Sequence, residues 1–99
     1  MITENGKIEG DHVVTGHLTL NGMVTGTLTV ASGGSVRLNG VCGRLVVQSD
    51  ASAEVGGMVV ADVLNEGTMH LSGVVNGSVL TKHGRFTRTE RSIVRGEVK

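Results

Sequence analysis

A phrase of about seventeen residues recurs along this chain, and it constrains the fold more than any other feature. Its clearest copy, residues 23–40, reads MVTGTLTVASGGSVRLNG. The phrases VCGRLVVQSDASAEVGG, MVVADVLNEGTMHLSG and VVNGSVLTKHGRFT follow it, and GKIEGDHVVTGHLTLNG precedes it. A single copy is too short to bury its own apolar side chains, so copies have to stack to make a core. The repeat predicts a solenoid, whose function has to be sought on the surface and at the ends of the stack.

Within each copy apolar and polar residues alternate, the period of strands with one buried face. Aligning the copies on V-x-G-x-L-x-V, then a corner, then x-V-x-L-x-G gives the inward columns. The first is Ile8, Val24, Val41, Val59 and Val75; the second is His12, Leu28, Leu45, Val63 and Val79. Val14, Val30, Val47, Asn65 and Thr81 form the third. Beyond the corner come Leu18, Val36, Ala53, Met69 and Phe86, then Leu20, Leu38, Val55, Leu71 and Arg88. Glycines hold the corners: Gly10, Gly26, Gly43 and Gly77, with Ala61 standing in once; Gly16, Gly34, Gly67 and Gly84; and Gly22, Gly40, Gly57 and Gly73.

Three corners per copy predict three short faces. The expected fold is all-β: a right-handed parallel β-helix, triangular in section, of about five to six coils of roughly 17 residues. Left-handed hexapeptide coils need an apolar residue at every sixth position, a step this sequence does not keep. A meander of hairpins turning at Asn21-Gly22 and Asn39-Gly40 accounts for the turns but not for the length of the repeat. Regularity fails at both ends. His12 and Arg88 stand in inward columns, and register is lost from residue 88 to 92 before IVRGEV, 93–98, begins what looks like another coil. Residues 1–99 therefore read as one domain, with regular coils over 6–87 and an irregular C-terminal cap over 88–99.

Composition agrees with a narrow, regular interior. The chain has 16 Gly, no Pro, Trp or Tyr, and one Phe, so Val and Leu must fill the core. Cys42 is the sole cysteine, which excludes an internal disulfide. In the alignment it falls in an outward column with Glu9, Thr25, Val60 and Asn76, as an ordinary surface thiol. The opening MITENGKIEG has neither an apolar run nor a basic start, and no stretch is long and apolar enough to span a membrane, so the expected location is the cytoplasm.

The repeat phrases VTGTLTV, GGSVRLNG and VNGSVL resemble those of the bactofilins, bacterial polymer-forming cytoskeletal proteins. The likeness covers about residues 6–87 and is spread over the repeat rather than held in one signature. It implies a right-handed triangular β-helix that assembles end to end into filaments without nucleotide, as a scaffold in cell shape, polarity or envelope positioning.

The residues themselves offer no catalytic constellation. There is no G-x-S-x-G, no phosphate-binding G-x-x-x-x-G-K-[ST], and no His/Cys pair at zinc spacing. The chain reads as a non-enzyme with no cofactor, no metal and no small-molecule substrate. Charge is more informative. Formal net charge is zero, yet Glu4, Glu9, Asp11, Asp50, Glu54, Asp62 and Glu66 outnumber Lys7, Arg37 and Arg44 in residues 1–66. From residue 82 onward Lys82, Arg85, Arg88, Arg91, Arg95 and Lys99 outnumber Glu90 and Glu97. The basic segment lacks interleaved aromatics and clustering, so a solvated cap is favoured over nucleic acid, and a membrane surface stays open as a partner but without support.

Two surfaces are candidates for protein contacts. The ends of the stack expose strand edges, with Ile8 at one end and Phe86, Arg88, Ile93 and Val94 at the other as end-to-end contacts. The lateral candidate is an outward column that is apolar where it should be polar: Val13, Thr29, Val46, Leu64 and Leu80. It reads either as the packing site of the terminal segment 93–98 or as an interface. The expected partner is accordingly the chain itself, as homo-oligomer or filament. The alternative is one other protein, bound by a small monomeric or dimeric module such as a toxin-neutralising immunity protein.

Overall fold

The computed structural model describes residues 2–4, 6–82, 84–89 and 92–98, the side chains of residues 2–4 excepted. Of the charged residues named above, Glu90, Arg91 and Lys99 and the side chain of Glu4 lie outside the described residues. Among the described residues every element is a strand. Every strand pairing among them is parallel, which excludes the hairpin meander. The strands stack as a β-solenoid of about five turns, consistent with a right-handed parallel β-helix.

Three ladders run the length of the stack. The first is a six-stranded sheet of Ile2–Glu4, His17–Leu20, Ser35–Leu38, Ser52–Val55, Thr68–Leu71 and Arg85–Arg88. The second pairs Lys7–Ile8, the first residues of Met23–Val30 and Val41–Val47, then Met58–Val59, Val74–Val75 and Ile93–Val94. The third runs from His12–Val14 through the ends of Met23–Val30 and Val41–Val47 to Val63–Asn65 and Val79–Thr81. Val98 adds a last bridge to Val79. Because two strands pass unbroken from second ladder to third, that corner is a bend rather than a break.

Alternation puts the expected columns inside. Leu20, Leu28, Leu38, Leu45, Val47, Val55 and Leu71 are fully buried, as are Val30, Val59, Val75 and Val79. Each buried Val or Leu side chain contributes about 1.5–3 kcal/mol, so regular aliphatic layers replace the missing aromatics. Asn65 is the polar column member that is fully buried. Its Nδ2 donates to the Arg85 carbonyl at 2.9 Å and its Oδ1 accepts from the Gly67 N–H at 3.1 Å, so both ends of the amide are satisfied.

The corners are set by backbone contact. At Gly40 an added Cβ would fall on the carbonyl oxygen of Gly22, and at Gly57 on that of Gly40. Successive coils touch there backbone to backbone, leaving room only for hydrogen. Asp11 and Asp62 finish another corner by accepting from the N–H of Thr27 at 2.8 Å and of Ser78 at 3.0 Å, each one coil on.

One alignment expectation is overturned. Cys42, not Val41, occupies the first inward column: it pairs with Val24 and Val59 and is fully buried, while Val41 pairs with Met23 and Met58 on the outside. The cause is a register shift between Val24 and Thr27, opposite Cys42 and Arg44. The bend after Cys42 holds only Gly43 and Arg44, one residue fewer than in the neighbouring coils. Counting two residues back from Gly43 therefore lands one residue too far, on Val41.

Candidate functional site

At the C-terminal end, Phe86 continues the inward column of Ala53 and Met69, as its spacing predicted. It is only partly buried, as is Val94, and both pack against the core from its edge. Val98, bridged to Val79, is 46% exposed. Segment 93–98 thus extends the second and third ladders instead of folding across the end or over a side. The reading that it packs on the lateral column is corrected: its Ile93 and Val94 are hydrogen-bonded in register with Val74 and Val75. Two buried hydroxyls in the last coils, Thr81 Oγ1 and Thr89 Oγ1, have no hydrogen-bond partner among the described residues, the mark of an unfinished layer.

Arg88 pairs in register with Leu71 yet is exposed, because a guanidinium cannot enter an apolar layer uncompensated. It turns to the following loop, where Nε donates to Ser92 Oγ at 2.9 Å and Nη2 to the Ser92 carbonyl at 3.1 Å. Ser92 Oγ in turn donates to the Thr89 carbonyl at 2.7 Å. This bracket replaces the short glycine corner of the earlier coils and feeds the chain into Ile93–Val94.

At the N-terminal end the edge strands are Ile2–Glu4, Lys7–Ile8 and His12–Val14. The first was not legible in the repeat, because three residues carry no phrase; its register, Ile2 with Leu18 and Glu4 with Leu20, shows that the stack begins before residue 6. Ile8 and His12 are partly buried in the inward columns of Val24 and Leu28. Among the described residues, Glu9 and Asp11 are exposed around them with one cation, Lys7, 3.8 Å from Glu9, and at the opposite end Arg85, Arg88 and Arg95 are exposed with one carboxylate, Glu97. The two ends thus differ in charge as well as in shape.

The lateral column forms as expected. Val13, Thr29, Val46, Leu64 and Leu80 stack in register along the outside of the third ladder. Beside them lies a shallow groove of about 440 Å³, lined by Val46, Leu64 and Leu80 with Arg44, Asp62 and Ser78. Arg44 and Asp62 are ion-paired at 3.8 Å along its edge. On the first ladder the outside is polar: Arg37 meets Glu54 at 3.2 Å and His70 meets Thr87 at 2.9 Å. His17 likewise contacts Ser35. These are pairs between neighbouring coils, worth about 0–1 kcal/mol each, and they hold register.

Among the described residues, no three His, Cys, Asp or Glu side chains converge on one point. No helix among them is long and apolar enough to cross a membrane. Burial pushes the Cys42 thiol up to about 12 from an ordinary 9.0. The folded protein therefore keeps the thiol protonated where the unfolded chain ionises it. Stability from this group is complete below pH 9.0 and falls as pH rises towards about 12. Cys42 is expected to resist a maleimide or aromatic disulfide reagent at pH 8 and to react only on unfolding. Rapid labelling of the native protein would contradict its place in the core.

Compared with protein-family models, curated proteins and solved structures, the chain matches none. The likeness to bactofilins thus rests on the repeat phrases alone.

Proposed function

We propose that this chain is a non-enzymatic structural protein that assembles end to end, a cytoplasmic scaffold of the bactofilin kind. The observation that carries the reading is the C-terminal layer: Phe86, Val94 and Val98 lie at the end of a parallel stack with their faces partly uncovered. Strands Arg85–Arg88 and Ile93–Val94 are paired on one side only among the described residues. An open strand edge next to an uncovered apolar layer is a template for another chain. Opposite charge at the two ends supports a head-to-tail contact, with Glu9 and Asp11 facing Arg85, Arg88 and Arg95.

This contact is salt-sensitive. Raising ionic strength from about 0.01 M to 1 M shortens the Debye length from ~30 Å to ~3 Å and weakens it. Pelleting at a series of salt concentrations tests the reading: the sedimented fraction falls as salt rises. A fraction indifferent to salt would remove the electrostatic part of the account.

A second reading is supported by the lateral groove at Val46, Leu64 and Leu80. A small binding protein, for instance one that neutralises a toxin, would use it for one tight contact. Leu64→Lys then weakens capture of that partner by about thirtyfold or more, the usual effect at the centre of an interface, and leaves the melting curve unchanged. Partner binding and assembly that are both unaffected by Leu64→Lys would exclude the groove.

A further inference from the structure

The register shift at Cys42 exposes a second apolar stripe. Met23, Val41, Met58, Val74 and Ile93 stack in register on the outside of the second ladder, with Lys7 below them. Met23 is 40% exposed and Ile93 48%, and the three between them are partly exposed. One flank is the glycine column Gly22, Gly40, Gly57 and Gly73, where no side chain keeps a partner at a distance. On the other flank Glu9 stands at the first rung, Arg95 at the last, and Val60, 51% exposed, near the middle.

We propose that this stripe is the docking surface for a second copy of the chain, laid antiparallel. A two-fold axis across the stack between Val41 and Met58 sets Glu9 opposite the partner subunit's Arg95, twice by symmetry. A parallel pairing sets Lys7 against the partner's Lys7, gives Glu9 only Lys7 of its own chain, at 3.8 Å, and offers Arg95 no acidic group across the interface. Shape points the same way. The rung of Cys42 lacks the residue that Thr25 supplies one coil before and Val60 one coil after. The antiparallel axis brings each Val60 over that gap on the other copy. The glycine columns also face each other, so the two sheets approach closely. The face buries on the order of 500 Å² per copy, below the range of permanent interfaces and in that of weak, transient ones, which a dimer with a dissociation constant in the micromolar range matches.

This dimer shares Glu9 and Arg95 with the end contact proposed above, so it is tested where that contact is blocked. The experiment is sedimentation velocity over about 1–100 μM protein in the Phe86→Arg background, where end contacts are blocked. A concentration-dependent dimer is expected. Met58→Glu raises its dissociation constant about a hundredfold, and Val60→Glu, at an exposed bend, weakens it too. Glu9→Arg weakens it about tenfold, and the pair Glu9→Arg with Arg95→Glu restores it. Should filaments persist in Phe86→Arg, the end-contact reading fails, while the lateral one is still scored: Met58→Glu unpairs those filaments without shortening them. A Phe86→Arg protein that stays monomeric overturns the inference. So does a dimer that ignores Met58→Glu and Val60→Glu, one lost with Leu64→Lys instead, or a charge exchange that fails to restore binding.

Discussion

Gly57→Ala is expected to destabilise the fold by about 3 kcal/mol or more, at the upper end of what overpacking costs. A Cβ there would fall on the Gly40 carbonyl oxygen and also lie 2.8 Å from the carbonyl carbon of Asn39. Neither atom is the tip of a flexible side chain. Relief requires parting two coils whose backbones are joined through the Gly57 N–H to Leu38 carbonyl bond at 2.9 Å and the Met58 N–H to Gly40 carbonyl bond at 2.9 Å. In a solenoid each coil rests on its neighbours, so the strain spreads along the stack. For a domain of this size the melting temperature drops by about 15 °C. Gly16→Ala is the matched control: nothing lies within 4 Å of a Cβ at Gly16, so its melting temperature stays within a few degrees. Equal behaviour of the two variants in a thermal melt would mean that the coils are not stacked as described.

Phe86→Arg has the other large expected effect, on assembly rather than on the monomer. Phe86 lies in the last inward layer and packs on the core with one side uncovered. In an end contact that uncovered side is buried, and an aromatic of this kind contributes about 1.5–3 kcal/mol. Replacing it with a charge removes that contribution and adds the cost of desolvating a guanidinium between apolar layers. The critical concentration for assembly rises about a hundredfold or more. The monomer loses little, because Arg88, one turn of the pleat away, already shows that a guanidinium at this layer can swing out to Ser92. Sedimentation over a concentration series reads the effect. A critical concentration unchanged in Phe86→Arg would place the contact elsewhere.

The fold was largely legible because each coil repeats the same constraint. Four inward columns stayed apolar through several copies, and the glycines marked the corners, so strand faces followed without any tertiary information. What failed was the choice of anchor. Measured from Gly43, the inward residue is Val41; measured from Gly40 it is Cys42, just as Gly22 leads to Val24, Gly57 to Val59 and Gly73 to Val75. The second set is the tighter ruler: an added Cβ at Gly40, Gly57 or Gly73 would fall on a backbone oxygen of the coil before it, whereas at Gly43 it would stop 2.7 Å from the Gly26 oxygen. The bend at Gly43 tolerates a missing residue because two neighbouring strands run through it unbroken.

That single slip hid both the buried thiol and the apolar stripe of Met23, Val41, Met58, Val74 and Ile93. The ends were harder to read for a different cause. Ile2–Glu4 is a strand because His17–Leu20 offers it an edge, not because of its own sequence. Ser92 puts a side chain in the glycine column, where its hydroxyl accepts from Arg88 Nε and donates to the Thr89 carbonyl. Neither relation has a pattern in the chain itself. The lateral column of Val13, Thr29, Val46, Leu64 and Leu80, by contrast, needed only the alternation of the third ladder, where the corner glycine is a sound anchor.

The claim that the stack ends associate is tested most directly by negative-stain electron microscopy of the purified protein at low and high salt. The account predicts unbranched filaments at low salt, of a width near the 24 × 21 Å section of one stack or twice that where stacks pair side by side, shortening as salt is raised. Single particles of one size at every protein and salt concentration would contradict it.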